Sequence, residues 1–297
     1  MDIQQYIEYD QDLLLQWNGS NSIFADAFMW VATSTYIWIP LAIVLLYVII
    51  KNNKGSDALL TIIAFALVIT LADQIASGIC KPLFQRFRPT QDPEIMHLID
   101  IVNGYRGGRY GFISSHAANT FGVAVFVSLL IRNKWLTFML VSWAVLNSYS
   151  RIYLGVHYPG DILFGTLNGC IVGVIIYLIY RYFHKKFFNQ VRYVSNQYTA
   201  SGYLITDVHL LLLTYILTCF VIVVWGMILS KMIYLYFSTL LFCCLNSNQR
   251  QRRTALRQCG RAKRCDRLYF SRGLRDKNIV PMLLCTECFE IHWLSYY

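Results

Sequence analysis

Residues 58–80 read ALLTIIAFALVITLADQIASGIC, and across them Asp73 is the single charged side chain. A helix of about 20 apolar residues covers a hydrocarbon core of about 30 Å. In lipid, only helices and closed barrels satisfy their own backbone groups. Barrel strands alternate apolar and polar residues with period two, and this stretch does not, so it reads as a helix. Five further apolar runs of about 16 to 23 residues occupy 28–50, 113–131, 135–150, 162–180 and 208–230. The pattern predicts an all-α, polytopic membrane helical bundle with about six transmembrane helices.

Composition agrees with a bilayer setting. Of 297 residues, 56% are hydrophobic and 14% charged, whereas a soluble domain carries about 25% charged residues. Such a chain is neither an ordinary soluble globule nor intrinsically disordered. The formal charge of +10 invites a nucleic-acid reading until it is located. Up to Leu245 there are 15 basic and 12 acidic residues, and the last 52 residues hold 11 and 4. Most of the excess is therefore in the tail.

Three regions follow. Residues 1–27 carry five acids and no Lys or Arg, so no secretory signal pattern is present. Ile7, Leu14 and Trp17 recur at helical spacing, which predicts a short amphipathic helix at the membrane interface. Residues 28–230 hold the six runs, and residues 231–297 hold a further apolar segment and a basic, cysteine-containing tail. The segment 232–245 has only 14 residues, so the pattern leaves open whether it returns through the membrane. Beyond it, 250–277 reads as a solvated basic segment, an anionic-lipid patch or the product of a frameshift.

Cys80, Cys170 and Cys219 lie singly in apolar runs and read as small buried hydrophobes. Cys243, Cys244, Cys259, Cys265, Cys285 and Cys288 crowd the tail, at spacings too irregular for an ordinary zinc site. No metal or other cofactor is expected.

Basic residues in loops 51–57, 132–134 and 181–207 place those loops together on the cytoplasmic side. Loops 81–112 and 151–161 then share the external face, although they too are basic. That exception draws attention to their cations. Lys81 and Arg88 flank the end of the second run, Ser114, Ser115 and His116 open the third, and Ser150, Arg151, His157 and Asp161 join the fourth to the fifth. A single basic residue at a span end is ordinarily a snorkelling anchor. Three cations with two histidines and an aspartate on one face call for chemistry.

Three fixed cations with hydroxyl and amide donors suit an anion with several equatorial oxygens, above all a phosphoryl group. Arginines supply planar forks, and Lys81 a point charge. Two histidines suit a double displacement, one attacking phosphorus and the other protonating the departing oxygen. His157 and Asp161, four residues apart, would meet in a helical turn, fixing the imidazole tautomer. No acidic cluster for Mg²⁺ accompanies them, so the expected chemistry is metal-independent. Asp73, eight residues before Lys81, falls on the same helix face, and Arg106, Arg109 and Tyr110 lie in a glycine-rich stretch as weaker candidates.

Lys81-x6-Arg88-Pro89, then Ser114-Ser115-His116, then Ser150-Arg151-x5-His157-x3-Asp161 resembles the three-part signature of the type 2 phosphatidic acid phosphatase superfamily. The resemblance covers roughly residues 5–230 and implies a helical bundle whose site opens at the external face. It further implies that His157 is the nucleophile that becomes phosphohistidine, Asp161 orients it, and His116 is the general acid. Lys81, Arg88 and Arg151 would bind phosphate oxygens, with Ser114 and the Ser115 amide assisting; Ser150 joins the substrate-binding candidates as a further hydroxyl donor on the reading of the residues alone. Family members commonly have Pro-Ser-Gly-His at the second motif. Ser115 stands at the glycine position here, which restricts the backbone there and adds a hydroxyl. The implied activity is a bacterial inner-membrane lipid phosphatase acting on undecaprenyl diphosphate, lipid A or a glycerophospholipid phosphate. The alternative is a non-catalytic anion-binding or transport protein retaining the fold, which would have no use for the His116, His157 and Asp161 set.

Overall fold

The computed structural model describes residues 3–188 and 195–246. The chain divides into two compact units, Met1–Met232 and Ile233–Tyr297, and the first holds everything that positions the site. The basic tail and its cysteines from Cys259 onward lie outside the described residues.

Helix α1 (Ile3–Trp17) is followed by α2 (Ile23–Thr33), which Ser22 caps by accepting from the Ala25 amide. The apolar run 28–50 is interrupted at Ser34. A 3₁₀ turn, Thr35–Trp38, leads into α3 (Ile39–Asn52), with Pro40 in its first turn where no amide is lost. Helix α4 (Ser56–Asp73) passes through a π-helical stretch, Gln74–Cys80, into α5 (Lys81–Phe84). Then come α6 (Ser115–Ile131), α7 (Lys134–Tyr153), α8 (Pro159–Phe187) and α9 (Ile205–Asn246).

Among the described residues four helices, rather than about six, are long and apolar enough to cross a membrane: Thr35–Asn52, Ser56–Phe84, Pro159–Phe187 and Ile205–Leu235. Two of the six runs account for the difference. The run 113–131 folds into α6, which has 17 residues and is about 26 Å long, short of the hydrocarbon thickness. The run 135–150 lies in α7, whose last turns bury Asn147, Ser148, Ser150 and Arg151 and so lack a sustained apolar stretch. The segment 232–245 is part of α9.

Helices α6 and α8 pack most intimately. Gly165, Gly169 and Gly173 recur every fourth residue along α8 and face α6. A Cβ at Gly165 would lie 2.5 Å from the Ser114 carbonyl oxygen, and one at Gly169 would collide with that of Ala118. Small residues at this spacing let two backbones touch where lipid offers no hydrophobic drive for association. The close approach brings the N-termini of α6 and α8 together, and the Ser114 amide donates to the Asp161 carbonyl at 3.0 Å. Outward, α8 exposes Leu167, Ile171, Ile175 and Leu178, a surface suited to acyl chains.

Loops collect at two ends. At one, Lys51 pairs with Asp207 at 2.6 Å, Asn53 bonds Tyr203, and His184 meets Asp57. At the other, residues 81–116 and 151–161 converge and carry the polar constellation.

Candidate active site

Pro159 opens α8 with Tyr158 as its N-cap, which puts Asp161 in the first turn. Asp161 Oδ2 accepts from the Tyr158 amide at 3.1 Å and lies 3.3 Å from His157 Nδ1. The expected pair therefore meets, but across a helix start and not within a helical turn, because His157 precedes the cap. The positive end of the α8 dipole favours a carboxylate at this point. Both side chains are buried.

Burial, reinforced by Arg88, Arg151 and Lys81, holds the His157 imidazole well below its ordinary value of 6.5. The ring is neutral near pH 7. With the carboxylate beside Nδ1, the hydrogen-bond network assigns the proton to that nitrogen and leaves Nε2 its lone pair.

Arg88 is aimed by backbone on both sides. Its amide donates to the Arg109 carbonyl at 3.0 Å and its Nε to the Tyr110 carbonyl at 3.2 Å. Gly107, at φ +66°, lies so close to the guanidinium that a Cβ there would strike Nη1. Arg151, in the last turn of α7, donates from Nη1 to Thr33 Oγ1 (2.9 Å) and from Nη2 to the Tyr105 hydroxyl (3.1 Å). Its buried Nε has no protein partner, so the fork retains a donor for an anion. Lys81 Nζ donates to Ser115 Oγ at 2.6 Å and Ser77 Oγ at 3.0 Å, and Ser77 in turn donates to Asp73 at 3.3 Å. Asp73, Ser77 and Lys81 thus form one polar ridge along the π-helical stretch, a geometry found often at functional sites. His116, in the first turn of α6, lies in the field of all three cations and of His157.

The serines divide. Ser115, the residue at the family's glycine position, becomes a tether for Lys81. Ser114 caps α6 by accepting from the Ala117 amide at 3.5 Å, and its hydroxyl hydrogen is still available. Ser150 does not join the set, because its hydroxyl donates to the Asn147 carbonyl in its own helix at 2.7 Å. Arg106 and Arg109 serve the glycine-rich loop: the Arg106 carbonyl accepts from Thr90, and the Arg109 guanidinium lies over Phe87 and Tyr110.

Sequence reasoning gave no role to Arg86, Asp10, Thr33, Tyr105 or Ser77. Arg86 Nη1 donates to Asp161 Oδ1 at 3.2 Å. Its nearness to Arg88, two residues on, was a usable signal. Thr33, Tyr105 and Asp10 reach the site over long chain separations and leave no local pattern.

Taken together, the helices and this polar end define an integral membrane protein with a cluster of cations and histidines at one end of its bundle. Residues 57–185 match the model of the PAP2 superfamily. The chain is 46% identical to a lipid A 4'-phosphatase of Bacteroides thetaiotaomicron over 174 residues, which is 58% of this chain and 77% of that protein. It is 35% identical to a lipid A 4'-phosphatase of Porphyromonas gingivalis over 184 residues, 62% and 78% of the respective chains. The crystal structure of Aquifex aeolicus LpxE aligns at 25% identity with a TM-score of 0.41, over 56% of this chain and 93% of that one. The chain belongs to the PAP2 superfamily and is a membrane phosphatase.

Proposed function

We propose that this protein removes phosphate from a lipid phosphomonoester or diphosphate through a phosphohistidine at His157, without a metal ion. The observation that carries the reading is the buried His157–Asp161 pair, 3.3 Å apart, set among Arg88, Arg151 and Lys81. Burial and the three cations hold His116 well below its ordinary value, so the anionic phosphate, by offsetting those cations, must first let it take up a proton. Nε2 of His157 then attacks phosphorus as the bond to the lipid oxygen breaks, and protonated His116 gives that oxygen its proton. Neutral His116 then takes a proton from water, the water oxygen attacks phosphorus, and the P–N bond breaks to release phosphate and regenerate His157. The three cations oppose the charge on the equatorial oxygens in both steps.

Among the substrate candidates, lipid A phosphate is favoured over undecaprenyl diphosphate and glycerophospholipid phosphates, since relatives at 46% and 35% identity carry that activity in their names. The basic loops 51–57, 132–134 and 181–207 support a cytoplasmic position for one end of the bundle. The site then faces the periplasm of a bacterial inner membrane, with α1 at the interface. The test is phosphate release by purified protein across that substrate panel. His157→Ala and His116→Ala should abolish turnover, vanadate should inhibit, and EDTA should not. Full activity in His157→Ala would sink the mechanism.

A further inference from the structure

Helix α1 brackets the segment that carries His157. At one end of that segment, the Gly19 amide and Asn18 Nδ2 both donate to the Tyr153 carbonyl, at 2.9 and 2.8 Å. At the other, Asp10 Oδ1 accepts from the Gly160 amide at 2.7 Å. Between them Leu14 is fully buried against Ile95, Ile99, Ile152 and Tyr158. The second oxygen of Asp10 accepts from Arg86 Nη2 at 2.8 Å, and Arg86 Nη1 reaches Asp161 Oδ1 at 3.2 Å. The guanidinium lies 3.9 Å from the centre of the Tyr158 ring, whose hydroxyl donates to Asp92 at 2.7 Å.

Arg86 therefore differs from the three cations that face the phosphate position. Its fork is divided between two carboxylates and backed by an aromatic face, an arrangement that fixes a planar side chain. Asp161 must hold its oxygen against His157 Nδ1 while buried, and a counter-charge on its other oxygen offsets the cost of that burial.

We infer that α1 is a positioning element for the His157–Asp161 pair, acting through Asp10 and Arg86. The inference rests on the phosphohistidine reading above. Arg86 touches no reacting atom. It aims Asp161, and Asp10 aims Arg86 and the start of α8.

The test uses the full chain in mixed micelles with a lipid phosphomonoester, comparing Asp10→Asn, Arg86→Ala, Arg86→Lys, the Asp10→Asn/Arg86→Ala double variant and His157→Ala. Supporting groups behind a reactive residue typically cost on the order of 10- to 100-fold when removed. Arg86→Ala should lose kcat in that range, and Asp10→Asn about tenfold, while KM and vanadate inhibition stay within about threefold of the parent. The double variant should be no slower than Arg86→Ala, since the two act in series, and Arg86→Lys should recover part of the loss. A rise in KM at unchanged kcat would overturn the inference by making Arg86 a phosphate ligand. Thermal destabilisation with kcat within about twofold in Asp10→Asn would overturn it by making α1 mere packing. Turnover retained in His157→Ala would mark failure of the underlying reading instead.

Discussion

Replacing Asp161 by Asn keeps the size of the side chain and changes its chemistry at three contacts. The carboxylate accepts from Tyr158 N–H at 3.1 Å, from Arg86 Nη1 at 3.2 Å, and from His157 Nδ1 at 3.3 Å. An amide has one oxygen. If that oxygen stays toward His157 and Tyr158, the new NH₂ group confronts Arg86, donor against donor. If it turns toward Arg86, the NH₂ group faces Nδ1, which must then accept, and the ring proton moves to Nε2, the nitrogen that has to attack. The second orientation spares the charged contact and is the expected one. In hydrolase triads a tautomer reversal of this kind costs about 10⁴ in kcat, which is about 5.4 kcal/mol of barrier. Folding should suffer less, by about 1 to 3 kcal/mol, since one buried donor is left unsatisfied while Arg86 keeps Asp10. Rapid-quench phosphate release under single-turnover conditions measures the chemical step, and thermal unfolding checks that the fold is intact. A kcat within about tenfold of the parent would refute the assignment of Asp161 as the group that sets the His157 tautomer.

Two further expectations follow from the same geometry. Ser150→Ala should leave KM within about twofold, because that hydroxyl is spent on the Asn147 carbonyl; a large rise in KM in steady-state assays would return Ser150 to the site. His157 should also shape the pH response, since burial and the neighbouring cations depress its folded value. The unfolded chain takes up a proton near 6.5 that the folded protein refuses. Its contribution to stability is thus complete above that pH and is lost as pH falls from there through the folded value. Thermal unfolding of the parent should fall more steeply with acid than that of His157→Asn. Equal acid sensitivity in the two would contradict the environment described for this ring.

How much could be read without coordinates differs between the fold and the site. An all-helical membrane protein was legible because lipid leaves the backbone so few options, but the number of spans was not. Apolarity along a run reports that the run is buried, and burial against protein looks the same as burial in lipid. Residues 113–131 form α6, wrapped by α4, α7 and α8, and residues 135–150 end in Asn147, Ser148 and Ser150, whose burial against protein and not lipid only the packed structure shows. The GxxxGxxxG pattern at Gly165, Gly169 and Gly173 was present as a string, but its partner surface on α6 was not. In the site, Lys81, Arg88, His116, Arg151, His157 and Asp161 could be proposed from sequence because phosphoryl chemistry calls for those residue types and their spacing is local. The Ser150 hydroxyl donates to the Asn147 carbonyl, a contact the sequence did not signal although a hydroxyl inside a helix can donate backwards to its own carbonyls.

The sequence by itself determined the class of protein and marked the candidate reacting groups: apolar length dictates helices in a bilayer, and charge is too costly there to persist without a use. Tertiary structure decided how those groups are aimed. Arg86 bridges Asp10 and Asp161 across 76 and 75 residues of chain, Arg151 finds Thr33 across 118, and Asn18 holds Tyr153 across 135. A hydrogen bond depends on distance and angle in space, and no local pattern encodes contacts made only after the helices have packed.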